Sequence, residues 1–563
     1  MAKEKKEKEV TLETVLWNCR VALRGYGSFE KNRDSVIGLA FLKFASDKFE
    51  ARRKEIIEQY GEVDVFLNKV SFYNSQNVYF LPEHCRWSYI VKNAGENDIA
   101  IKIDKAMKDI EDMNPPLKGT LPQNVYASLG ADKNAIKSLI DEINKINEKR
   151  FQEEDLIGRV YEYFLQNFAA SASKEDGEFY TPACVVQLIA ELIEPFDGIV
   201  YDPCCGSGGM FVQSMKFVDR HKGNRKKISV VGQEKTPETW RLAKMNLAIR
   251  GIACDLGEKN ASTFTDDQHK DLTVQYIMAN PPFNLRKWRG EDELLDDPRF
   301  KPYKPAMPPV SNANYAWILH MLSKLDVEKG VAGFLLANGA LNAGEKSDDD
   351  EDEGGQAQYL IRKKILENDK VEAIIVLPRD MFYTTDISVT LWILNNNKKE
   401  RVLNGRHLRD RTNEILFVDL RRWDENIEEY VIDKGKKKKK IVLTPSQIER
   451  VKKIYNDWQS TECRDSSLYE VPELYRSIKI WNSQLTDKEK ADNVPTIESQ
   501  NYSLLPSKYI RFIDHDLEID FKKEMERIQR EMKVVLSEEI NSQSMMKDAF
   551  DGIGYGIKDD KTR

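Results

Sequence analysis

Tyr201-Asp202-Pro203-Cys204-Cys205-Gly206-Ser207-Gly208-Gly209-Met210 is the stretch that decides the fold. Ahead of it, Gly198-Ile199-Val200-Tyr201 is short, apolar and β-branched, punctuated by Pro195 and Gly198, and reads as a buried strand. Behind it, Phe211, Met215 and Val218 recur at helical spacing, and Gly223 ends the pattern. Strand, glycine-rich turn and helix make half of a βαβ unit, whose ligands bind at the carboxyl ends of the strands. The glycines permit positive φ and let backbone N–H groups approach a ligand closely. Asp202, at the strand end, can accept hydrogen bonds from an amine or a hydroxyl. Taken alone, the stretch could also be only a tight turn. A phosphate cradle is not supported. The nearest stretch, Gly339 to Ser347, reads GALNAGEKS and has Glu345 where the lysine should follow the glycine.

Outward from this centre, Ile228 to Glu234 reads as a second strand that again ends in a carboxylate. In a doubly wound sheet it neighbours the first, so Glu234 faces the same ligand, where an acidic residue is the usual partner of ribose hydroxyls. A helix from Pro237 to Gly251 follows, then a loop or short strand from Asp255 to Thr263. The next strand, Val274 to Met278, runs into Asn280-Pro281-Pro282-Phe283. Two prolines there make a stiff turn whatever its purpose. They also fix the backbone so that the Pro281 carbonyl and the Asn280 side-chain oxygen can converge on one amino group. Phe283 then offers a flat face for stacking a base. On the other side, Gly177-Glu178-Phe179-Tyr180-Thr181-Pro182 leads into a helix from Ala183 to Ile193. Thr181 is placed as its N-cap and Pro182 at its first helical position.

A chain of 563 residues implies two or three domains. Hydrophobic content of 41% and charged content of 32% suit a globular protein. No apolar run approaches membrane-spanning length, and the charged start, Met1 to Glu9, lacks a signal peptide's apolar core, so a cytoplasmic location is expected. Seven cysteines show no C-x-x-C spacing, which points to reduced thiols rather than disulfides or a zinc site. Six histidines share no metal-ligand spacing, and no metal is expected. The net charge of −7 is unlike that of a protein that grips duplex DNA unaided, because phosphate contacts supply most of such affinity.

Leu12 to Glu50 has helical periodicity (Leu12, Val15, Cys19, Ala22; then Ile37, Ala40, Phe41, Phe44), and Ile99–Met113 and Ala135–Asn147 read as further helices. Residues 1–150 are therefore expected to form a helical N-terminal domain, followed by a helix from Asp155 to Phe168. Later strands are expected at 331–336, 371–377, 388–394 and 415–420. The acidic run Asp348 to Glu353 lacks the glycine and ligand alternation of a calcium loop and reads as solvated. The lysine run Lys436 to Lys440, near a hairpin-like turn, is read as a solvated loop or a contact to a DNA backbone.

Asp-Pro-x-x-Gly-Ser-Gly-Gly followed by Asn-Pro-Pro-Phe resembles the S-adenosylmethionine-dependent adenine-N6 DNA methyltransferases. More closely, the chain resembles the methylation subunits of type I restriction–modification systems. Gly177 to Pro182, Asn312 to His320 (NANYAWILH), Gly333 to Leu341 (GFLLANGAL) and Leu377 to Thr385 (LPRDMFYTT) carry that closer likeness, which spans nearly the whole chain. It implies an α/β, Rossmann-like methyltransferase domain over residues 151–440, with a helical C-terminal region over 441–563. It implies S-adenosyl-L-methionine as cofactor, held by Tyr180, Thr181, Pro182, Asp202, Gly206, Ser207, Gly208, Gly209 and Glu234. Asn280, Pro281, Pro282 and Phe283 become the catalytic turn. Phe382 or Tyr383 supplies a second wall by resemblance only. One departure stands out: where the family usually has Asp-Thr-Phe for the cofactor's adenine, this chain has Ser262-Thr263-Phe264. Ser262 is uncharged, so adenine contact falls to it or to the neighbouring backbone.

The implied partners are duplex DNA, a specificity subunit that reads the sequence (two methylation subunits to one of it), and a restriction/motor subunit. The competing readings are a glutamine-amide methyltransferase, whose turn reads Asn-Pro-Pro-Tyr in shorter chains, and a non-catalytic cofactor-binding assembly subunit. At the C-terminus, Phe521, Met525, Ile528, Met532 and Val535 recur at spacings of four and three, the pattern of a packed helical seam. The stripe suits packing on the subunit's own catalytic domain. The resemblance implies instead that it docks on long helices of the specificity subunit.

Overall fold

The computed structural model describes residues 12–76, 78–146, 181–344, 353–382, 387–423, 427–433, 436–461, 469–513 and 521–552. The expected helix over 155–168, Tyr180, Tyr383 and all of the acidic run but Glu353 lie outside them. The chain divides into two compact units, Met1–Ile510 and Arg511–Arg563.

Four longer helices build the N-terminal region: α1 (Leu12–Ala22), α2 (Phe29–Tyr60), α3 (Ile99–Met113) and α4 (Lys133–Ile143). Two of the starts have a clear local cause. Ser28 accepts from the Lys31 N–H ahead of α2, and Asp132 accepts from the Asn134 and Ala135 N–H groups ahead of α4. The apolar faces of the four meet in one core containing Val15, Cys19, Phe41, Ile103 and Ile140, which Leu242 and Met245 of the following α/β region complete. Shared burial of this kind joins the two regions.

The α/β region carries β1 (Gly198–Asp202), β2 (Ile228–Gly232), β3 (Cys254–Asp255), β4 (Tyr276–Ala279), β5 (Val331–Ala337), β6 (Val371–Val376) and β7 (Val389–Asn395). The small hairpin β8 (Arg401–Leu403) and β9 (Arg406–Leu408) and then β10 (Glu414–Asp419) follow. Next come β11 (Ile427–Asp433), β12 (Lys436–Val442), β13 (Glu470–Val471) and β14 (Tyr475–Lys479). Ten of these form one sheet in the order β3-β2-β1-β4-β5-β7-β6-β10-β14-β13. β1 is parallel to both β2 and β4, whereas β7 is antiparallel to β5 and β6. The strand order reverses between β1 and β4, which makes their carboxyl ends the crevice where ligands of such sheets bind.

Helices cover both faces: α5 (Ala183–Ile193), α6 (Gly209–Arg220), α7 (Pro237–Ile249), α8 (Asn314–Lys324), α9 (Glu353–Glu367) and α10 (Pro445–Gln459). Alternation along each strand sorts side chains between the two cores. Val200, Met278 and Leu335 join α5, α6 and α10 on one face; Tyr201, Ile277, Phe334 and Leu336 join α8 and α9 on the other. Burial on both faces explains why β5, β6 and β7 read as nearly unbroken apolar runs. The fold class is the expected α/β, Rossmann-like one with a helical N-terminal region.

Three local expectations need correction. The sheet runs past residue 440: β14 pairs antiparallel with β10 (Glu414↔Lys479), so the stretch expected to be helical supplies two strands. Tyr475 and Ile478 favour an extended backbone, and Ile478 is buried. Lys436 to Lys440 is not a loop but the start of β12, paired with β11 through the register Tyr430↔Lys439. Lys440 is buried and its ammonium donates to the Phe382 carbonyl. Thr181 does not cap α5. Pro182 occupies the N-cap position with φ −56° and ψ 140°, and the Thr181 hydroxyl is engaged elsewhere.

In the second unit, α11 (Phe521–Gly552) is a single helix of 32 residues that carries the whole apolar stripe. No helix among the described residues is long and apolar enough to cross a membrane.

Candidate active site

The turn after β1 is tied down strand by strand. The Gln233 N–H donates to the Asp202 carbonyl at 3.0 Å, and the Cys205 N–H donates to the Gln233 carbonyl at 2.9 Å. Gly206 (φ 54°) and Gly208 (φ 82°) then turn the chain into α6 in backbone conformations that side chains resist. A Cβ on Gly208 would also press on Leu247 at 3.3 Å. Asn246 holds the Ser207 carbonyl at 2.7 Å.

Two carboxylates face this turn. Asp202 accepts from the Cys204 N–H at 3.0 Å. Glu234 accepts from the Gly206 N–H at 3.1 Å and from the Thr236 N–H at 2.8 Å, so it bridges the glycine turn and the start of α7. Both are buried, at 1% and 9% exposure. Burial pushes Asp202 up to about 7, aided by the Glu234 charge and only partly offset by the bonds from Cys204. Burial likewise raises Glu234. Such a pair is suited to a ligand that brings positive charge and hydroxyl donors.

At the end of β4, the Asn280 amide donates to the Thr181 hydroxyl at 2.9 Å, which orients the side-chain oxygen of Asn280. Beyond the prolines, Asn284 (φ 54°) is locked by Asn314: its N–H donates to Asn314 Oδ1 at 3.0 Å, and Asn314 Nδ2 donates back to Asn284 Oδ1 at 2.9 Å.

A cavity of about 310 Å³ joins these parts. Thr181, Asp202, Gly206, Ser207, Gly209 and Glu234 line it, as do Ser262, Asn280 and Pro282. Pro182, Gly208 and Pro281 are each next in sequence to a lining residue without lining the cavity by themselves, and Tyr180 lies outside the described residues. Phe283 is not on the cavity surface. It is 6% exposed and belongs to the core that also holds Met381 and Phe382. Burial raises the Cys204 and Cys205 thiols well above their ordinary range, which leaves no thiolate nucleophile there.

Sequence reading missed the apolar end of the cavity. Phe264, Leu285, Trp288 and Trp317 line it. The Phe264 ring lies 4.3 Å from Trp317 and 4.6 Å from Trp288, and the Trp288 indole N–H donates to the Pro309 carbonyl at 2.8 Å. Phe264 sits two positions after Ser262 and had a local signal; the tryptophans, distant in sequence, had none. Thr236 and Thr239, at the start of α7, line the cavity too. Away from the cavity, ligand atoms of His84, Cys85 and Asp109 lie within 4.8 Å of one another. His84 Nε2 is 2.7 Å from Asp109, and burial pushes Cys85 up to about 12, which disfavours the thiolate a metal requires.

The family described as N-6 DNA Methylase matches residues 152–515, and the HsdM N-terminal domain matches residues 12–145. The chain is 31% identical to the type I restriction enzyme MjaIX methylase subunit of Methanocaldococcus jannaschii, over 96% of this chain and 91% of that one. It is also 31% identical to the HindI methylase subunit of Haemophilus influenzae, over 84% of this chain and all of that one. Among solved structures, the type I restriction-modification system methyltransferase subunit from Streptococcus thermophilus superposes with a TM-score of 0.64 at 21% identity, over 89% of this chain and 99% of its own. A modification subunit of a type I restriction enzyme from Vibrio vulnificus gives 0.56 at 18% identity, over 85% and 96%. These two share the fold. The sequence matches settle the family: the chain belongs to the N-6 DNA methylases, among the methylase subunits of type I restriction enzymes.

Proposed function

We propose that the chain transfers a methyl group from S-adenosyl-L-methionine to N6 of an adenine flipped out of duplex DNA, as the methylation subunit of a type I complex. Base sequence would be read by a separate specificity subunit, and a restriction/motor subunit would complete the assembly. The observation that carries the reading is the Asn280 amide, held by Thr181 beside a cavity that also holds two buried carboxylates.

The cavity fits the cofactor. Its lining offers a partner to each part of the molecule: Glu234, Thr236 and Thr239 for ribose hydroxyls, Asp202 for the cationic amino-acid part, and Phe264, Leu285, Trp288 and Trp317 for a flat purine. When bound, S-adenosyl-L-methionine supplies an electrophilic methyl group. The chain's part is to aim the acceptor. Adenine N6 shares its lone pair with the ring and is a poor nucleophile. Accepting its two hydrogens at Asn280 Oδ1 and the Pro281 carbonyl draws the lone pair out of conjugation and points it at the methyl group. No covalent intermediate is needed. Flipping costs a few kcal/mol, and holding both reactants in register supplies much of the rate.

The test is methylation of duplex DNA with and without the specificity subunit, read by mass detection of N6-methyladenine. Product is expected with the subunit present, and Asn280→Ala should abolish it while cofactor binding survives. Normal turnover by Asn280→Ala would overturn the reading.

A further inference from the structure

One wall of the cavity is a run of turns, residues 261–270, that contributes Ser262, Thr263 and Phe264. Three buried side chains from elsewhere hold it. Gln233 Nε2 donates to the carbonyls of Ala261 and Asp266, and Gln233 Oε1 accepts from the Gln268 N–H. Lys324 pairs with Asp267 at 2.8 Å and donates to the carbonyls of His269 and Lys270. Arg299 reaches the lining itself: Nη1 donates to the Thr263 carbonyl at 2.8 Å and Nη2 to the Phe264 carbonyl at 2.6 Å.

Every donor of Arg299 is engaged. Nε and Nη2 meet Asp297 at 2.8 and 2.7 Å, and Nη1 also meets His320 Nδ1 at 3.1 Å. A guanidinium offers five N–H donors in a rigid plane, so this set leaves it no rotational freedom. An arginine cannot accept, so His320 Nδ1 does; its Nε2 then carries the proton toward Tyr201, 3.0 Å away and adjacent to Asp202. Burial and the Arg299 charge push His320 down to about 3, which keeps it neutral in this role. The wall is thereby referenced to β1.

Resting on the cofactor reading above, we propose that Arg299 is the positioning residue for the purine end of the cavity and sets its selectivity for adenine. Ser262 makes this backbone decisive. An uncharged side chain offers the base less than a carboxylate would, so recognition depends more on where the Thr263–Phe264 backbone stands. Arg299 fixes that backbone by both carbonyls. A wall that can drift matches one purine edge little better than another.

The test compares binding of S-adenosylhomocysteine and S-inosylhomocysteine by calorimetry. The unaltered chain should prefer the adenosyl compound by about tenfold or more. Arg299→Met should lose about tenfold in adenosyl affinity and bring the two compounds close to parity. Arg299→Lys, able to reach one carbonyl at a time, should fall between. Arg411→Lys, in the buried Glu372 pair away from the cavity, should lose thermal stability but keep the preference. An unchanged preference in folded Arg299→Lys, or an equal loss in Arg411→Lys, overturns the proposal. Hydrogen exchange on the unaltered chain gives a check free of folding defects: the amides of Ala261, Asp266 and Gln268, which donate to Glu234, Ser262 and Gln233, should be protected before any ligand is added, and rapid exchange there also overturns it. If the unaltered chain binds neither compound, the cofactor reading itself fails.

Discussion

Asp202 carries an unusual burden for a carboxylate at a strand end. It is 1% exposed, and burial holds it near 7 while its ordinary value is 3.8. A group whose folded value is raised favours the folded state below its unfolded value, and that contribution is lost as pH rises through the folded value. The ligand-free chain should therefore lose stability from this group between about pH 4 and 7. A cationic ligand reverses the balance by pairing with the ionised form, so cofactor affinity should rise with pH through the same window, by up to about tenfold per unit. Asp202→Asn keeps an acceptor for the Cys204 N–H but cannot ionise. It should melt above the unaltered chain at pH 8, bind cofactor at least about tenfold more weakly, and show no pH dependence near 7. Calorimetry and thermal melts at pH 6, 7 and 8 check all three. A second residue-scale test follows from the Asn280–Thr181 bond. Thr181→Val keeps the shape and removes the hydroxyl, so turnover should fall about three- to tenfold with cofactor affinity nearly unchanged, as expected for one lost hydrogen bond. Single-turnover methylation measures it.

At the scale of elements, what the sequence disclosed follows a physical rule. The strands that lead into Asp202, Glu234 and Asn280 are legible because a short apolar run closed by glycine or proline is a local signal. Their convergence was legible because parallel, doubly wound strands present their carboxyl ends together. The N-cap of α5 lies one residue later than the sequence pattern places it: Thr181 and Pro182 satisfy a capping pattern, yet the hydroxyl is drawn to Asn280, 99 positions away. The burial of Phe283 and the aromatic part of the cavity are not legible, since residues 264, 288 and 317 meet only in the folded chain. The same holds for the element that locks the helical layer. Glu191 of α5 receives Arg220 and His221, at the end of α6, at 3.1 and 2.9 Å, and Lys452 of α10 at 2.8 Å. Burial pulls its value upward, but the bonds from Lys452 and His221 outweigh this and hold it below the usual range. Its contribution is thus present above the unfolded value and lost as pH falls through the folded one. Glu191→Gln leaves the 10%-exposed Lys452 ammonium without its counter-charge. It should cost about 3 kcal/mol in denaturant unfolding at pH 7, and less as the pH is lowered toward 4.

On the scale of the whole molecule, charge and the C-terminal helix point the same way. A net charge of −7 is poorly matched to duplex DNA, where phosphate neutralisation provides most of the affinity. The proposed specificity subunit would supply that grip, and α11 is the element proposed to reach it. Residues 511–563 form a compact unit of their own, while the three cores of the first unit are built from residues up to Ile510. Along α11, Phe521, Met525, Ile528, Met532 and Val535 make a stripe at spacings of four and three, and Lys522, Lys523, Glu524, Glu526 and Arg527 occupy positions between. A helix so divided gains most of its stability by burying the stripe against a partner. Truncation before Leu517 should therefore leave the melting temperature and cofactor affinity of the remaining chain close to those of the full chain. It should abolish co-elution with the specificity subunit on size-exclusion chromatography, and with it methylation of specific sites. Co-elution at full strength would show that the stripe is not the docking element. A collapse of stability in the truncated chain would show instead that the helix belongs to the catalytic unit's own packing.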